Sequence, residues 1–163
     1  MANGSSYVVD FQAFKNLCNE FILKEVTIID IVKRVDNNFL IRPPQPYNQI
    51  PHKLKKRVDF ITNNIHGLEW DSGMIGFRNA VALIKGILKD ASKIYIKGSE
   101  RVNYLKKLLP DKENCIIDLD PIVPKIIPPL PISECAFNHK INHKCSYKQA
   151  HKYLIYVYFY ENF

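Results

Sequence analysis

Hydrophobic and β-branched residues fall into short runs along the first quarter of the chain, separated by polar residues. The run over residues 7–11 predicts a first strand, and the longer run over residues 21–32 predicts a second. Asn37 and Asn38 are a tight-turn signal, so residues 39–41 are expected to continue as a third strand. The prolines that follow end this strand, because proline cannot donate a hydrogen bond to a neighbouring strand. The pattern therefore predicts three successive strands joined by hairpins.

The rest of the chain alternates between helical and strand-like patterns. Helices are predicted over residues 53–63, 77–89, 100–109 and 148–159, and strands over residues 92–96 and 115–117. Ser99 is expected to be the N-cap of the third helix. This order of elements fits an RNase H-like α/β fold, with a mixed five-stranded sheet flanked by helices. Three of its strands are expected to be antiparallel and two parallel.

Length and composition agree with one folded domain. The chain has 163 residues and 47% hydrophobic residues, enough for a sizeable core. We expect a single domain over residues 1–163, with a Pro-rich connection at 121–134 and a zinc-binding segment and terminal helix at 135–163. The first residues lack the pattern of a secretory signal, and no apolar run approaches the ~20 residues of a membrane helix. We therefore expect an intracellular protein, in cytoplasm or nucleus, with no membrane partner.

Residues of metal-ligating type crowd into the segment before the last predicted helix and into the start of that helix. They are Cys135, His139, His143, Cys145 and His151, out of four Cys and five His in the whole chain. Thiolates and imidazoles are the ligands that zinc prefers, and four ligands close a tetrahedral site. The spacing is wider than in a zinc finger, and the chain contains no Cys-x-x-Cys, so a distant strand is expected to supply a ligand. The alternative is that Cys145 and His151 are core residues of a helix and that His139 and His143 are solvated loop residues.

Four short segments resemble the DEDDh 3′–5′ exonucleases, which have an RNase H-like fold. Where those enzymes have Asp-x-Glu on the first strand, this chain has Asp10-Phe11-Gln12. Residues 65–68 resemble their His-Gly segment, residues 97–100 align with the end of their fourth strand, and His143 aligns with the histidine of their last helix. Two-metal chemistry needs clustered carboxylates, because Mg²⁺ takes oxygen ligands. Here Gln12 is neutral and Lys148 would repel a cation, so an active exonuclease is disfavoured.

Within this superfamily the chain is more similar to the Maelstrom domain, which has lost those acids and gained a Glu-Cys-His-Cys zinc site. The glutamate segment of that domain resembles residues 24–28, which contain Glu25. Its clustered Cys and His resemble Cys135 and His139, and its last Cys resembles Cys145. The resemblance implies a structural Zn²⁺ held by these four residues. The gap between Cys135 and His139 is one residue longer than in the family, which leaves His143 as an alternate ligand.

The residues themselves also single out Glu25. A charged glutamate in the middle of an apolar strand is costly unless it is paired or bound to a metal ion. The alternative is that Glu25 faces solvent or pairs with Lys24 or with a basic helix. A closed site with four ligands would fasten the last helix to the sheet and leave no open position for a reactive water molecule.

The formal net charge of +7 favours a polyanionic partner such as nucleic acid. Lys97 follows a central strand, at the end of the sheet where α/β folds bind ligands. The other candidates for contacting RNA are Lys53, Lys55, Lys56 and Arg57 in the first helix and Lys144 and Lys148 near the last helix. Lysines recur every fourth residue from position 140 to position 152, which would make a basic stripe on a helix. The alternative is that both groups are solvated helix faces.

The sequence therefore predicts a zinc-stabilised, catalytically degenerate RNase H-like domain that binds single-stranded RNA. The resemblance to Maelstrom implies a part in small-RNA-guided silencing of transposons, with silencing-pathway proteins as partners, and allows a weak RNA endonuclease activity. One alternative is a protein-interaction scaffold with a structural zinc. Another is an active, divalent-metal-dependent 3′–5′ exonuclease that recruits the weak catalytic candidates Asp10, Glu100, Asp118 or Asp120.

Overall fold

A mixed β-sheet forms the centre of the molecule in the computed structural model, which describes residues 4–128, 137, 139 and 144–161. The strands are β1 (Ser5–Lys15), β2 (Phe21–Asp30), β3 (Val35–Arg42), β4 (Ile75–Gly76), β5 (Ala91–Ile96) and β6 (Ile116–Asp118). Their order across the sheet is β4-β3-β2-β1-β5-β6. β1, β2 and β3 are antiparallel neighbours, whereas β5 is parallel to β1, β6 to β5 and β4 to β3. The predicted α/β class and mixed sheet are confirmed, and the two-residue β4 is a strand beyond the predicted five.

Four α-helices flank the sheet in the described part of the chain. They are α1 (His52–Ile61), α2 (Phe77–Ile87), α3 (Ser99–Leu108) and α4 (Ser146–Glu161). A π-helical turn (Thr62–His66) extends α1, and short 3-10 helices occupy Tyr47–Gln49 and Pro110–Cys115. None of the helices in the described part of the chain is both long enough and apolar enough to cross a membrane. The predicted helices are thus present, with ends that differ by a few residues from the sequence pattern.

Alternation along the strands divides the core between the two faces of the sheet. On one face, Val9 and Phe11 of β1 pack with α2 and α3 through residues such as Ile84 and Leu105. On the other face, Val8 and its neighbours on β2 and β5 pack under α4. Since successive side chains of a strand point to opposite faces, the continuous apolar run of β1 serves both cores. The two-sided burial explains why these strands are recognisable from hydrophobicity alone.

The prediction of a tight turn at Asn37 and Asn38 is wrong. Asn37 and Asn38 do not form a turn but pair with Ile28 and Thr27 inside β3, and the chain reverses at residues 31–34, where Arg34 has φ 55°. Asn38 is held in the strand because its Nδ2 donates to Thr27 Oγ1 at 2.7 Å, a partner that only strand pairing supplies.

The start of α3 also differs from the prediction. Gly98, not Ser99, is the N-cap, with φ 101° and no side-chain capping bond. A glycine suits this position because that backbone conformation is strained for other residues. Serine is a common N-cap, which is why Ser99 was predicted in that role. In the structure no side chain caps the helix, and Ser99 is its first residue.

Lys24 is a fully buried lysine at an irregularity in the pairing of β1 with β2. Gln12 pairs with Glu25 and Ala13 with Leu23, so Lys24 is the extra residue of a β-bulge. Its Nζ donates to the carbonyl oxygens of Ile41 at 3.2 Å and Trp70 at 2.9 Å, and to that of Ser72. Burial lowers the pKa of this amine to about 7, although the carboxylates of Asp71 and Glu69 act in the opposite direction. The side chain therefore fastens the loop before β4 to the edge of the sheet.

Replacing Lys24 by methionine is expected to lower the free energy of unfolding by about 2–3 kcal/mol, because three carbonyl groups lose their donor while the apolar stem is kept. Urea unfolding followed by circular dichroism measures the change. Lys53→Met, at an exposed position on α1, is the control and should leave stability within about 0.5 kcal/mol of wild type. Equal stability of the two variants would show that the carbonyl contacts of Lys24 contribute little.

Candidate functional site

A row of polar side chains crosses the middle of the sheet on the face that α4 covers. Asp10 and Gln12 of β1 lie directly opposite Thr27 and Glu25 of β2, and Asn38 of β3 lies opposite Thr27. The first four of these residues are buried. Polar groups removed from water need hydrogen-bond or ionic partners, so this row is where the chemistry of the molecule is concentrated.

Glu25, His139 and Cys145 come together at one end of this row. Their ligand atoms all lie within 4.8 Å of one another, in a group that could hold a metal ion. His139 Nε2 is 3.1 Å from Glu25 Oε2, and Cys145 Sγ is 3.7 Å from Glu25 Oε1. The side chains of His139 and Glu25 are 2% and 0% exposed, and Cys145 is also buried. Three of the four ligands expected from the sequence are thus assembled from β2, the segment before α4 and the residue that precedes that helix.

The orientation of the His139 ring suits a metal ligand. Its Nδ1 contacts the backbone carbonyl of His66, at the end of the π-helical turn, and a carbonyl can only accept a hydrogen. Nδ1 therefore carries a hydrogen, which in a neutral ring leaves the lone pair on Nε2. That lone pair faces the Glu25 carboxylate, so a proton or a metal cation is needed between them. A ligating histidine commonly donates its other N–H to a carbonyl in this way.

The start of α4 completes the surroundings of Glu25. The backbone N–H of Ser146 donates to Glu25 Oε2 at 3.1 Å, and Asn38 Nδ2 lies 3.3 Å from Glu25 Oε1. Burial alone would raise the pKa of Glu25, but the contacts with His139, Ser146 and Asn38 outweigh it and lower the pKa. The positive end of a helix also favours a carboxylate. Glu25 is therefore ionised and joins α4 to the middle of the sheet.

The remaining ligand candidates have different outcomes. Cys135, expected as a ligand, and His143, the alternate, lie outside the described residues. His151 is described but does not join the group: its Nε2 lies 3.1 Å from Asp36 Oδ2, and its ring packs on Tyr147 with centroids 4.4 Å apart. Lys24, weighed as a partner of Glu25, donates instead to the three carbonyl groups near β4.

Asp10 occupies the other end of the polar row. It is 1% exposed, and its Oδ1 accepts a 2.7 Å hydrogen bond from Arg101 Nη1 of α3. Among the described residues its Oδ2 has no hydrogen-bond partner. Burial raises the pKa of Asp10 to about 7; the Glu25 charge adds to this, whereas Arg101 and Lys144 lower the pKa. Asp10 is thus paired with a guanidinium and is not grouped with other carboxylates.

The other weak catalytic candidates are likewise engaged separately. Glu100 pairs with Lys15, Asp120 pairs with Lys97, and Asp118 Oδ1 accepts from the backbone N–H groups of Gly98 and Asp120 at 3.1 and 2.9 Å. Within the described part of the chain, Glu25, His139 and Cys145 form the only group of three or more residues with the spacing of metal ligands.

A cavity of about 420 Å³ lies beside Asp10, where β5 ends and α4 begins. Its charged lining residues are Asp10, Lys97, Arg101, Asp120, Lys125, Lys144 and Lys152. Lys97 and Lys144, both expected to contact RNA, are therefore brought together. Lys148 of α4 is described and half-buried but does not line the cavity.

The basic run of α1 lies elsewhere. Arg57 donates to Asn16 O at 2.8 Å and to Asn19 Oδ1 at 3.1 Å, which ties α1 to the turn between β1 and β2. Lys55 lies 5.4 Å from the centre of the Tyr47 ring. Lys53 and Lys56 are exposed. Two members of this run thus have structural contacts, and the cavity collects a different set of cations.

Sequence reasoning missed Arg101 and Lys125 as site residues. Arg101 lies within an ordinary amphipathic helix, and Lys125 lies in a proline-rich segment, so neither belongs to a motif. The sequence signal that could have located this part of the sheet was the regular spacing of polar residues along β1 and β2. Asp10 and Gln12, and likewise Glu25 and Thr27, are two residues apart, which places each pair on one face of its strand.

Comparison of the chain with protein-family models, with curated proteins and with solved structures gives no match.

The stability of the protein is expected to depend on Asp10 between about pH 4 and pH 7. The carboxyl has a pKa near 3.8 when exposed and about 7 when folded, so the folded state binds the proton more tightly. At low pH the protonated carboxyl group stabilises the folded state. As the pH rises through that window, this contribution is lost and the free energy of unfolding falls by up to about 4 kcal/mol. The charges of Arg101, Glu25 and Lys144 also act on the pKa of Asp10.

Thermal unfolding of wild type and Asp10→Asn at several pH values tests this effect. The stability of the variant relative to wild type should rise between pH 4 and pH 7, because asparagine does not titrate. A difference independent of pH would show that Arg101 keeps Asp10 ionised throughout.

Proposed function

We propose that the chain is a Maelstrom-like domain of the RNase H-like superfamily, stapled by a structural zinc ion, that binds single-stranded RNA. The observation that carries this proposal is the buried group of Glu25, His139 and Cys145. These residues match three of the four positions implied by the resemblance. They also join the middle of the sheet to the start of the last helix, where a stapling metal would act.

The donor set of this group fits zinc. A carboxylate oxygen, an imidazole nitrogen and a sulfur atom are all zinc ligands, and bond lengths of about 2.0–2.3 Å place the ligand atoms of a tetrahedral site roughly 3.5 Å apart. His139 Nε2 lies 3.1 Å from one Glu25 oxygen and Cys145 Sγ lies 3.7 Å from the other, and the three ligand atoms all lie within 4.8 Å of one another. We assign the fourth position to Cys135, with His143 as the alternate. A bound zinc would neutralise the buried charges and hold α4 against β2, as a structural site does.

The topology supports the RNase H-like part of the proposal. β3, β2 and β1 form an antiparallel unit, and β5 and β6 continue it in parallel beside β1. That arrangement is the expected one of three antiparallel and two parallel strands. The short β4 adds to the outer edge of β3 without altering this order.

The charges of the site support binding over hydrolysis. Asp10, the residue that aligns with a catalytic acid of the exonucleases, is bound to Arg101 at 2.7 Å, and the neighbouring position is Gln12. A site with a guanidinium in place of clustered carboxylates favours phosphate over a divalent cation. We propose an RNA-binding role in small-RNA-guided silencing, in cytoplasm or nucleus, alongside silencing-pathway proteins. Any weak endonuclease activity would then be independent of the exonuclease acids.

Purified wild-type protein is expected to contain about one zinc ion per chain. Glu25→Ala, Cys145→Ala and Cys135→Ala should each lose the metal and lower the melting temperature, because each leaves the remaining buried ligands uncompensated. Elemental analysis together with thermal unfolding measures both effects. Cys18→Ala, at an exposed cysteine, is the matched control and should keep both metal and stability. Wild-type protein without zinc would contradict the metal assignment.

Wild-type protein is also expected to bind a single-stranded RNA oligonucleotide with an affinity that falls as salt increases, because phosphate contacts release counterions. Fluorescence anisotropy at several salt concentrations measures the slope. Zinc without RNA binding would favour a protein-interaction scaffold. Mg²⁺- or Mn²⁺-dependent cleavage that is lost in Asp10→Ala would favour the exonuclease alternative.

A further inference from the structure

The cavity beside Asp10 collects cations from parts of the chain that are distant in sequence. Lys97 follows β5, Arg101 lies on α3, Lys125 follows β6, Lys144 precedes α4 and Lys152 lies on α4. Cations on a solvated helix face avoid one another by pointing outward. Here five of them line one concave site with two carboxylates, so the local charge is positive.

Only part of this charge is neutralised by the protein. Lys97 pairs with Asp120, and Arg101 pairs with Asp10. Among the described residues, Lys125, Lys144 and Lys152 take part in no ion pair. Clefts lined by charges of one sign attract ligands of the opposite sign.

Arg101 is oriented within this cavity. Its Nη1 donates to Asp10 Oδ1 and to the carbonyl of Phe11, and its guanidinium carbon lies 4.8 Å from the centre of the Phe11 ring. Within the described part of the chain these hydrogen bonds use Nη1, and a guanidinium has five N–H donors in all. A guanidinium held by a buried carboxylate and an aromatic ring loses little entropy when it binds a phosphate.

We propose that this cavity is the RNA-binding site and that it takes a backbone phosphate of single-stranded RNA between Arg101, Lys144 and Lys152. This inference rests on the proposed RNA-binding function and deepens it, because it assigns the contact to the cavity and not to the basic run of α1. The volume of about 420 Å³ suits a group of nucleotide size. The site lies at the carboxyl end of β5, the side of an α/β sheet on which ligands bind.

Charge-removing variants test this assignment by anisotropy with a labelled single-stranded RNA. Lys144→Gln/Lys152→Gln should weaken binding at least about tenfold and reduce the salt slope by about 0.7, the contribution of one neutralised phosphate in single strands. Lys85→Gln/Lys89→Gln removes the same charge from exposed positions at the end of α2, on the opposite side of the sheet, and should change affinity less than about twofold.

Two further double variants distinguish a contact in the cavity from a contact on α1. Because Lys144 adjoins Cys145, Lys125→Gln/Lys152→Gln is measured as well, and zinc content and melting temperature are checked for every variant. Lys53→Gln/Lys56→Gln probes α1. Loss of binding in the α1 variant with wild-type affinity in both cavity variants overturns the inference while the proposed function stands. Absence of RNA binding in the wild type overturns both.

Discussion

The burial of the Glu25 carboxylate in the middle of the sheet is the constraint on which the position of α4 depends. A charged group at this depth is tolerated only when its surroundings supply donors or a cation. The groups in contact with Glu25 come from three separate parts of the molecule: Asn38 on β3, His139 in the segment before α4, and the backbone of Ser146 at the start of α4. The position of α4 on the sheet is therefore tied to the ionisation of one side chain.

That constraint divides one face of the sheet into regions of different chemistry. Beneath the body of α4, apolar residues such as Val8, Tyr95 and Val157 form a conventional core. Beneath its start, the strands carry polar residues that an apolar helix face could not cover. His139 and Cys145, which precede α4, contact Glu25. The guanidinium of Arg101 on α3 contacts Asp10. A buried group that could hold a metal ion and a cationic cavity thus lie side by side on one face of the sheet.

The strands and helices were predictable because each has a hydrophobic pattern set by its own residues. β1, β2 and β5 are buried on both faces, so their apolar runs identify them directly. The errors occurred where a local signal competed with a partner distant in sequence. Asn37 and Asn38 have the chemistry of a turn, but strand pairing with β2 gives Asn38 a partner in Thr27. No local sequence pattern indicates that Lys24 is buried. The three carbonyl groups that accept its hydrogen bonds lie 17 to 48 residues away.

The sequence by itself determined the order of elements, the identity of Glu25, His139 and Cys145 as ligand-type residues, and the excess of positive charge. These follow from residue chemistry and spacing, which need no knowledge of contacts. Only the tertiary structure decided that the three ligand-type residues meet, that Arg101 occupies the place beside Asp10, and that scattered lysines share one cavity. Such convergence depends on how strands pair and helices cross, and those contacts join residues about 90 to 120 positions apart.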